Sequence, residues 1–172
     1  MAYEALEDLE IFRIAEQVCD RFYTLIQAWK AFDKETVGMQ LVRAADSIGA
    51  NFAESYGRYH YGEKLNFLYY ARGSLYETKY WIRRCRSRQL LDKDVCDNAS
   101  KVLTDLGIKL NAFINDRRDR RSATAPTSKT LAESSVPYEI DQLDVVDEWL
   151  DLPEKNLDNH QSTNHQLTNT IF

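Results

Sequence analysis

Along four successive stretches of this chain, large apolar residues recur at alternating steps of three and four, with almost nothing to interrupt them. In the first stretch Leu9, Phe12, Ala15, Val18, Cys19, Phe22, Leu25, Ile26 and Trp29 fall on one helical face. Val37, Leu41, Ala44, Ala45, Ile48, Phe52 and Tyr56 do so in the second, and Leu65, Leu68, Ala71, Leu75, Thr78, Ile82 and Cys85 in the third. The fourth carries Val95, Ala99, Val102, Leu106, Leu110 and Phe113. With three prolines and six glycines in 172 residues, the chain lacks the turn signal every 8–12 residues or so that a β-sandwich or barrel needs. The spacing predicts helices over 6–30, 35–57, 63–88 and 92–121. Phe32-Asp33-Lys34 is the expected first turn, with Asp33 or Thr36 capping the next helix. The glycine-flanked run 57–62 is the expected second connection, and Asp92 the cap of the fourth helix. Connections this short favour antiparallel neighbours. The expected fold is therefore all-α, an antiparallel up-down-up-down four-helix bundle.

Charge divides the chain more sharply than hydropathy. Through Arg121 there are 20 Lys and Arg against 18 Asp and Glu; beyond it, 2 against 9, which accounts for the net −5. The run after Arg121 is rich in Ser, Thr, Ala and Pro, a composition that buries too little to offset the entropy of ordering it. A bundle domain over 1–121 and a mostly disordered acidic tail over 122–172 are expected. Within the tail, 138–152 alternates acids with large apolar residues. Coiled, it aligns Ile140, Leu143 and Leu150, with Trp149 as an anchor, and Pro153 stops it; such segments fold in a partner's groove. No run of about 18 apolar residues exists to span a membrane. The acidic start is unlike a secretory signal, and three widely spaced cysteines suit neither a disulfide framework nor a zinc knuckle. The expected location is the cytoplasm.

Little here suggests catalysis. There is no glycine-rich phosphate loop. His60 is the sole histidine of the first 121 residues and sits between two tyrosines, while His160 and His165 lie in an Asn/Gln-rich stretch without neighbouring ligands. No enzyme, metal or cofactor is expected.

The segment Gln40-Leu-Val-Arg-Ala-Ala-Asp-Ser-Ile-Gly-Ala-Asn-Phe-Ala-Glu-Ser-Tyr-Gly-Arg58 resembles the signature R-x-A-x-S-I-x-x-N-[IF]-A-E-x-x-x-R. That signature belongs to small bacterial four-helix-bundle proteins encoded within intervening sequences of 23S ribosomal RNA genes. Phe67-Leu-Tyr-Tyr-Ala-Arg-Gly-Ser-Leu-Tyr-Glu77 is similar to that family's second block, and Leu6-Glu-Asp-Leu-Glu-Ile-Phe12 to its first helix. The family commonly has Pro where Gly49 stands and Gly where Ser55 stands. The resemblance implies a four-helix protomer assembling into a pentamer, with no established enzymatic activity. A more distant branch resembles accessory proteins of diversity-generating retroelements, which implies RNA or a reverse transcriptase as partner.

Two groups of polar residues remain. Asn51, Glu54 and Arg58 share a stripe on the second helix, and on the third Arg72 and Glu77 flank Gly73-Ser74, a pair of small residues expected to allow close helix approach. These form either a ligand pocket or a hydrogen-bonded network that fixes helix register. Arg72, Lys79, Arg83 and Arg86 line one face of the third helix, joined by Arg84 and Arg88. Arg117, Arg118, Arg120 and Arg121 gather with Arg58 and Lys64 at the opposite end. Tyr59, Tyr61, Tyr69, Tyr70, Tyr76, Tyr80 and Trp81 interleave these charges, which suits phosphate contact with base stacking. An ordinary solvated face is the competing reading, because a domain balance of +2 is modest for a nucleic-acid binder. The acidic tail then has two targets, a client protein or the domain's own basic face.

Overall fold

A computed structural model describes residues 5–124, and every regular element among them is helical. Helix α1 spans Glu10–Gln27 after a single 3-10 turn at Leu6–Asp8. Helices α2, α3 and α4 span Met39–Gly57, Tyr61–Ser87 and Lys93–Thr124. The acidic tail and its 138–152 segment lie outside the described residues. Among the described residues no helix is long and apolar enough to cross a membrane.

The apolar stripes meet as their spacing requires. Phe22, Leu41, Phe52, Leu75, Ile82, Leu106 and Leu110 are at most 2% exposed, and burial of such side chains contributes about 1.5–3 kcal/mol each. Contacts fix how consecutive helices run. Residue numbers rise along α1 and fall along α2 where Phe12 stacks near Phe52, Ala15 lies beside Gly49 and Ile26 lies beside Gly38. The same reversal relates α2 to α3, through Asn51 with Ser74 and Arg58 with Phe67. It relates α3 to α4 through Tyr61 with Arg117, Lys79 with Thr104 and Arg86 with Asp97. An ion pair from Lys109 to Glu10, 2.9 Å, ties α4 back to α1. The core divides into a large cluster around Phe22 and Leu106 and a smaller one around Phe52, Leu68, Leu110 and Ile114.

The first connection departs from expectation. The chain breaks at Ala28–Lys30, not at Phe32–Lys34, and Ala31–Asp33 already forms a helical turn. Its N-cap is Lys30, in extended conformation and without a side-chain cap bond. Asp33 is therefore inside the helix, and the Thr36 hydroxyl donates back to the Phe32 carbonyl at 2.6 Å instead of capping. A π-helical stretch, Lys34–Gly38, links this turn to α2. Its last residue lies so close to α1 that a Cβ on Gly38 would come 2.7 Å from Ile26 Cγ2. The second connection is only Arg58–His60, with Gly57 ending α2 and Gly62 inside the first turn of α3. At the end of α3, Gln89 takes a left-handed φ of 56°. Its N–H bonds to Arg86 O and the Leu90 N–H to Cys85 O, the paired bonds of a Schellman cap.

Candidate nucleic-acid interface

The polar residues of the sequence motif form two links between α2 and α3. Asn51 Nδ2 donates to Ser47 O at 2.7 Å and reaches Ser74 Oγ at 3.4 Å, while Ser74 donates to Tyr70 O. Glu54, in the last turn of α2, pairs with Arg58 just past its end, and the Arg58 guanidinium lies 4.7 Å above the Phe67 ring of α3. Glu77 does not join them, since it accepts from Trp81 Nε1 at 3.3 Å along its own helix. Gly73 does not mediate a close helix approach either. It is exposed, and a Cβ there would meet nothing within 4 Å. Only its neighbour Ser74 faces α2.

The ten basic residues singled out by sequence fall into three groups. Arg72, Lys79 and Arg86, spaced seven apart, all reach across to α4. Arg72 donates to Asn111 Oδ1 at 3.2 Å and stacks on Tyr69; Lys79 donates to Thr104 Oγ1 at 2.8 Å; Arg86 pairs with Asp97 at 2.8 Å. Burial in this seam lowers the Lys79 pKa, against the opposing charge of Asp105. Asp97 also accepts from Lys93 at 2.6 Å, and that hydrogen bond foremost holds its carboxyl below the usual range. Arg83 and Arg84 stand in the second half of α3 and Arg88 just past its end; Arg83 and Arg88 are exposed and Arg84 half-buried, and none makes an ion pair among the described residues.

The third group stands where α3 begins and α4 ends. The Arg121 guanidinium lies 4.6 Å from the Tyr61 ring centroid, and that of Arg117 4.6 Å from the Phe113 ring. Tyr61 anchors both helices by donating its hydroxyl proton to Arg117 O at 2.9 Å, across 56 residues of sequence. Burial raises the Tyr61 pKa, opposed by the charges of Arg121 and then Arg118. Arg120 pairs with Asp116 at 2.9 Å. Beside this cluster Tyr59 is 90% exposed, with the His60 ring edge-on at 5.2 Å. A guanidinium held over an aromatic ring has already given up part of its freedom and loses less on binding an oxyanion.

The thiols offer no competing chemistry. Burial raises Cys19 strongly, Cys85 to about 12 and Cys96 to about 11, so all three are neutral at physiological pH and poor nucleophiles. Among the described residues no group of three or more His, Cys, Asp or Glu is placed to hold a metal ion.

A family model described as the 23S rRNA-intervening sequence protein matches residues 7–112. The chain belongs to this family. The match takes in the second and third motif blocks and all of the first but Leu6, and stops short of Arg117–Arg121. No curated protein matches the chain. A solved structure from Bacteroides thetaiotaomicron, described as a protein with unknown function from the S23 ribosomal protein family, is 21% identical. The similarity covers 60% of this chain and 97% of that one, with a TM-score of 0.56, and it carries the fold alone. Neither match indicates an enzymatic family. Sequence reasoning had not resolved which arginines face a partner and which face a neighbouring helix, because that depends on the register between α3 and α4.

Proposed function

We propose that this protein of the 23S rRNA-intervening sequence family is a non-enzymatic, cytoplasmic, oligomeric accessory factor that binds RNA through the end of the bundle formed by Tyr59, Tyr61, Arg117, Arg118 and Arg121. The observation that carries this reading is the pair of guanidiniums stacked at 4.6 Å on Tyr61 and Phe113 beside the exposed Tyr59 ring. Phosphates meet the arginines, and unpaired bases stack on Tyr59. Each protomer supplies a small patch, so a pentamer of the kind the family resemblance implies gains affinity from simultaneous contacts. A reverse transcriptase or another nucleoprotein enzyme is the kind of partner such a factor serves.

The test is binding of the full-length chain to a fluorescent single-stranded RNA across salt concentrations. The expected result is a log K that falls linearly with log salt, at roughly 0.7 per phosphate contact. A flat line contradicts the proposal.

One observation favours a second reading. Arg72, Lys79 and Arg86 are engaged by α4, which leaves less free charge than the sequence suggests. In that reading the protein is a scaffold that recruits a client through Ile140, Leu143, Trp149 and Leu150 without touching nucleic acid. Deleting 122–172 separates the two. An RNA binder keeps or gains affinity when the acidic residues are removed, whereas a scaffold loses its client.

A further inference from the structure

The chain's densest charge lies on the segment 138–152. It carries Glu139, Asp141, Asp144, Asp147, Glu148 and Asp151 and no basic residue, with Ile140, Leu143, Trp149 and Leu150 set among the acids. Carboxylates interleaved with large apolar side chains suit a surface that is both basic and aromatic.

The end of the bundle where α3 begins and α4 finishes is such a surface. Apart from the internal pairs Glu54–Arg58 and Asp116–Arg120, it carries Lys64, Arg117, Arg118 and Arg121 against Glu63 and Asp119. Its aromatic part is Tyr59, 90% exposed, with the half-buried Tyr61 and Phe113 rings beneath two of the guanidiniums. The family match stops at residue 112, so Arg117–Arg121 and the acidic segment both stand in the part of the chain beyond it.

Helix α4 delivers the segment to this end. Tyr138 stands 14 positions beyond Thr124, the last residue of α4, and Arg117 is about 10 Å back along the helix from Thr124. A tether of that length spans about 20 Å as a coil and at most about 45 Å extended. The arginines therefore lie within its reach, at an effective concentration of the segment in the mM range.

We propose that residues 138–152 of the same chain dock on this end of the bundle, their carboxylates on Arg117, Arg118 and Arg121 and Trp149 against Tyr59, and cover the RNA surface until a nucleic acid displaces them. The masking rests on the RNA reading above, whereas the contact itself requires no RNA. At about 2 mM, a segment whose free peptide binds with a Kd of about 0.5 mM occupies the surface about four-fifths of the time and lowers RNA affinity about fivefold.

The test uses the full chain labelled with 5-fluorotryptophan, in which Trp29, Trp81 and Trp149 give three fluorine signals and Trp149→Phe identifies the third. The expected result is a Trp149 signal that moves toward its position in concentrated urea when Arg117→Ala, Arg118→Ala and Arg121→Ala are combined. Glu139→Gln, Asp141→Asn and Asp144→Asn together, each at least five positions from Trp149, should move it the same way. This second variant leaves the helices unaltered and decides the matter should the first lose its circular dichroism. With Asp147→Asn, Glu148→Gln and Asp151→Asn added, the chain should bind single-stranded RNA about fivefold more tightly. Trp149→Ala changes no charge and should tighten it as well, which separates docking from simple repulsion of RNA by an acidic tail. A Trp149 signal that ignores the changes on both sides overturns the docking and leaves the segment to a client protein. If the signal moves and no variant binds RNA, the contact stands and the RNA reading fails. If RNA binds but neither Trp149→Ala nor loss of the acids tightens it, the masking is overturned and the RNA reading stands.

Discussion

The basic residues of the α3/α4 seam stand on α3 and those at the end of the bundle on α4, and the two sets are held in different ways. Along the seam, Arg72, Lys79 and Arg86 spend their donors on Asn111, Thr104 and Asp97. At the end, Arg117 and Arg121 lie on aromatic rings. A hydrogen bond to a side chain across a helix pair fixes register and consumes the donors that an oxyanion needs. Stacking over a ring holds the guanidinium through its face. Positive charge near a surface is thus a weak guide to binding unless its donors are accounted for.

The largest effect that bears on this contrast is structural. Phe52 packs 5.2 Å from Phe113, whose ring supports Arg117, so Phe52→Ala should cost about 3–5 kcal/mol of stability. It should weaken RNA binding as well; chemical denaturation and a binding titration on the same sample check both. If binding is untouched, the end does not depend on the core beneath it. Next, Arg117→Ala with Arg121→Ala should reduce the salt slope for single-stranded RNA by about 1.4, two phosphate contacts' worth. The unfolding free energy should move by about 1 kcal/mol or less, since Arg121 is exposed and Arg117 only half-buried. In the seam, Arg72→Ala should reverse that profile, losing about 1 kcal/mol in urea titration with RNA affinity unchanged.

The smallest effect concerns pH. Burial favours the neutral amine of Lys79 and sets its folded pKa below the ordinary 10.5. The unfolded chain therefore binds more protons in the interval between the folded value and 10.5, and stability contributed at this site rises as pH climbs through it. Lys79→Met should flatten that alkaline rise, measured by urea midpoints at neutral pH and at about pH 10. A rise that persists in the variant assigns it to another group.

The four helices and their inward faces were legible because one apolar stripe per helix suffices to place a core, and nearly every residue on the predicted stripes is buried or half-buried. The first turn was not. Asp33 and Lys34 carry turn-like polarity, and Phe32, though 76% exposed, sits in a helical turn; the break is set by the extended Lys30 and by Gly38 crowding against Ile26. Helical spacing predicts one face for Arg72, Lys79, Arg83 and Arg86, of which Arg72, Lys79 and Arg86 reach across to α4. It could not show that the face meets α4, whose partners lie 39, 25 and 11 residues away.

The contrast between seam and end is tested most directly by two triple variants of the full-length chain titrated with the same single-stranded RNA across salt. Arg117→Ala, Arg118→Ala and Arg121→Ala together should lower the slope of log K against log salt by about 2, with the helical signal retained. Arg72→Ala, Lys79→Ala and Arg86→Ala should leave the slope in place while lowering the urea midpoint. A slope that survives the first set and collapses with the second would place the nucleic-acid surface on the seam and contradict the account.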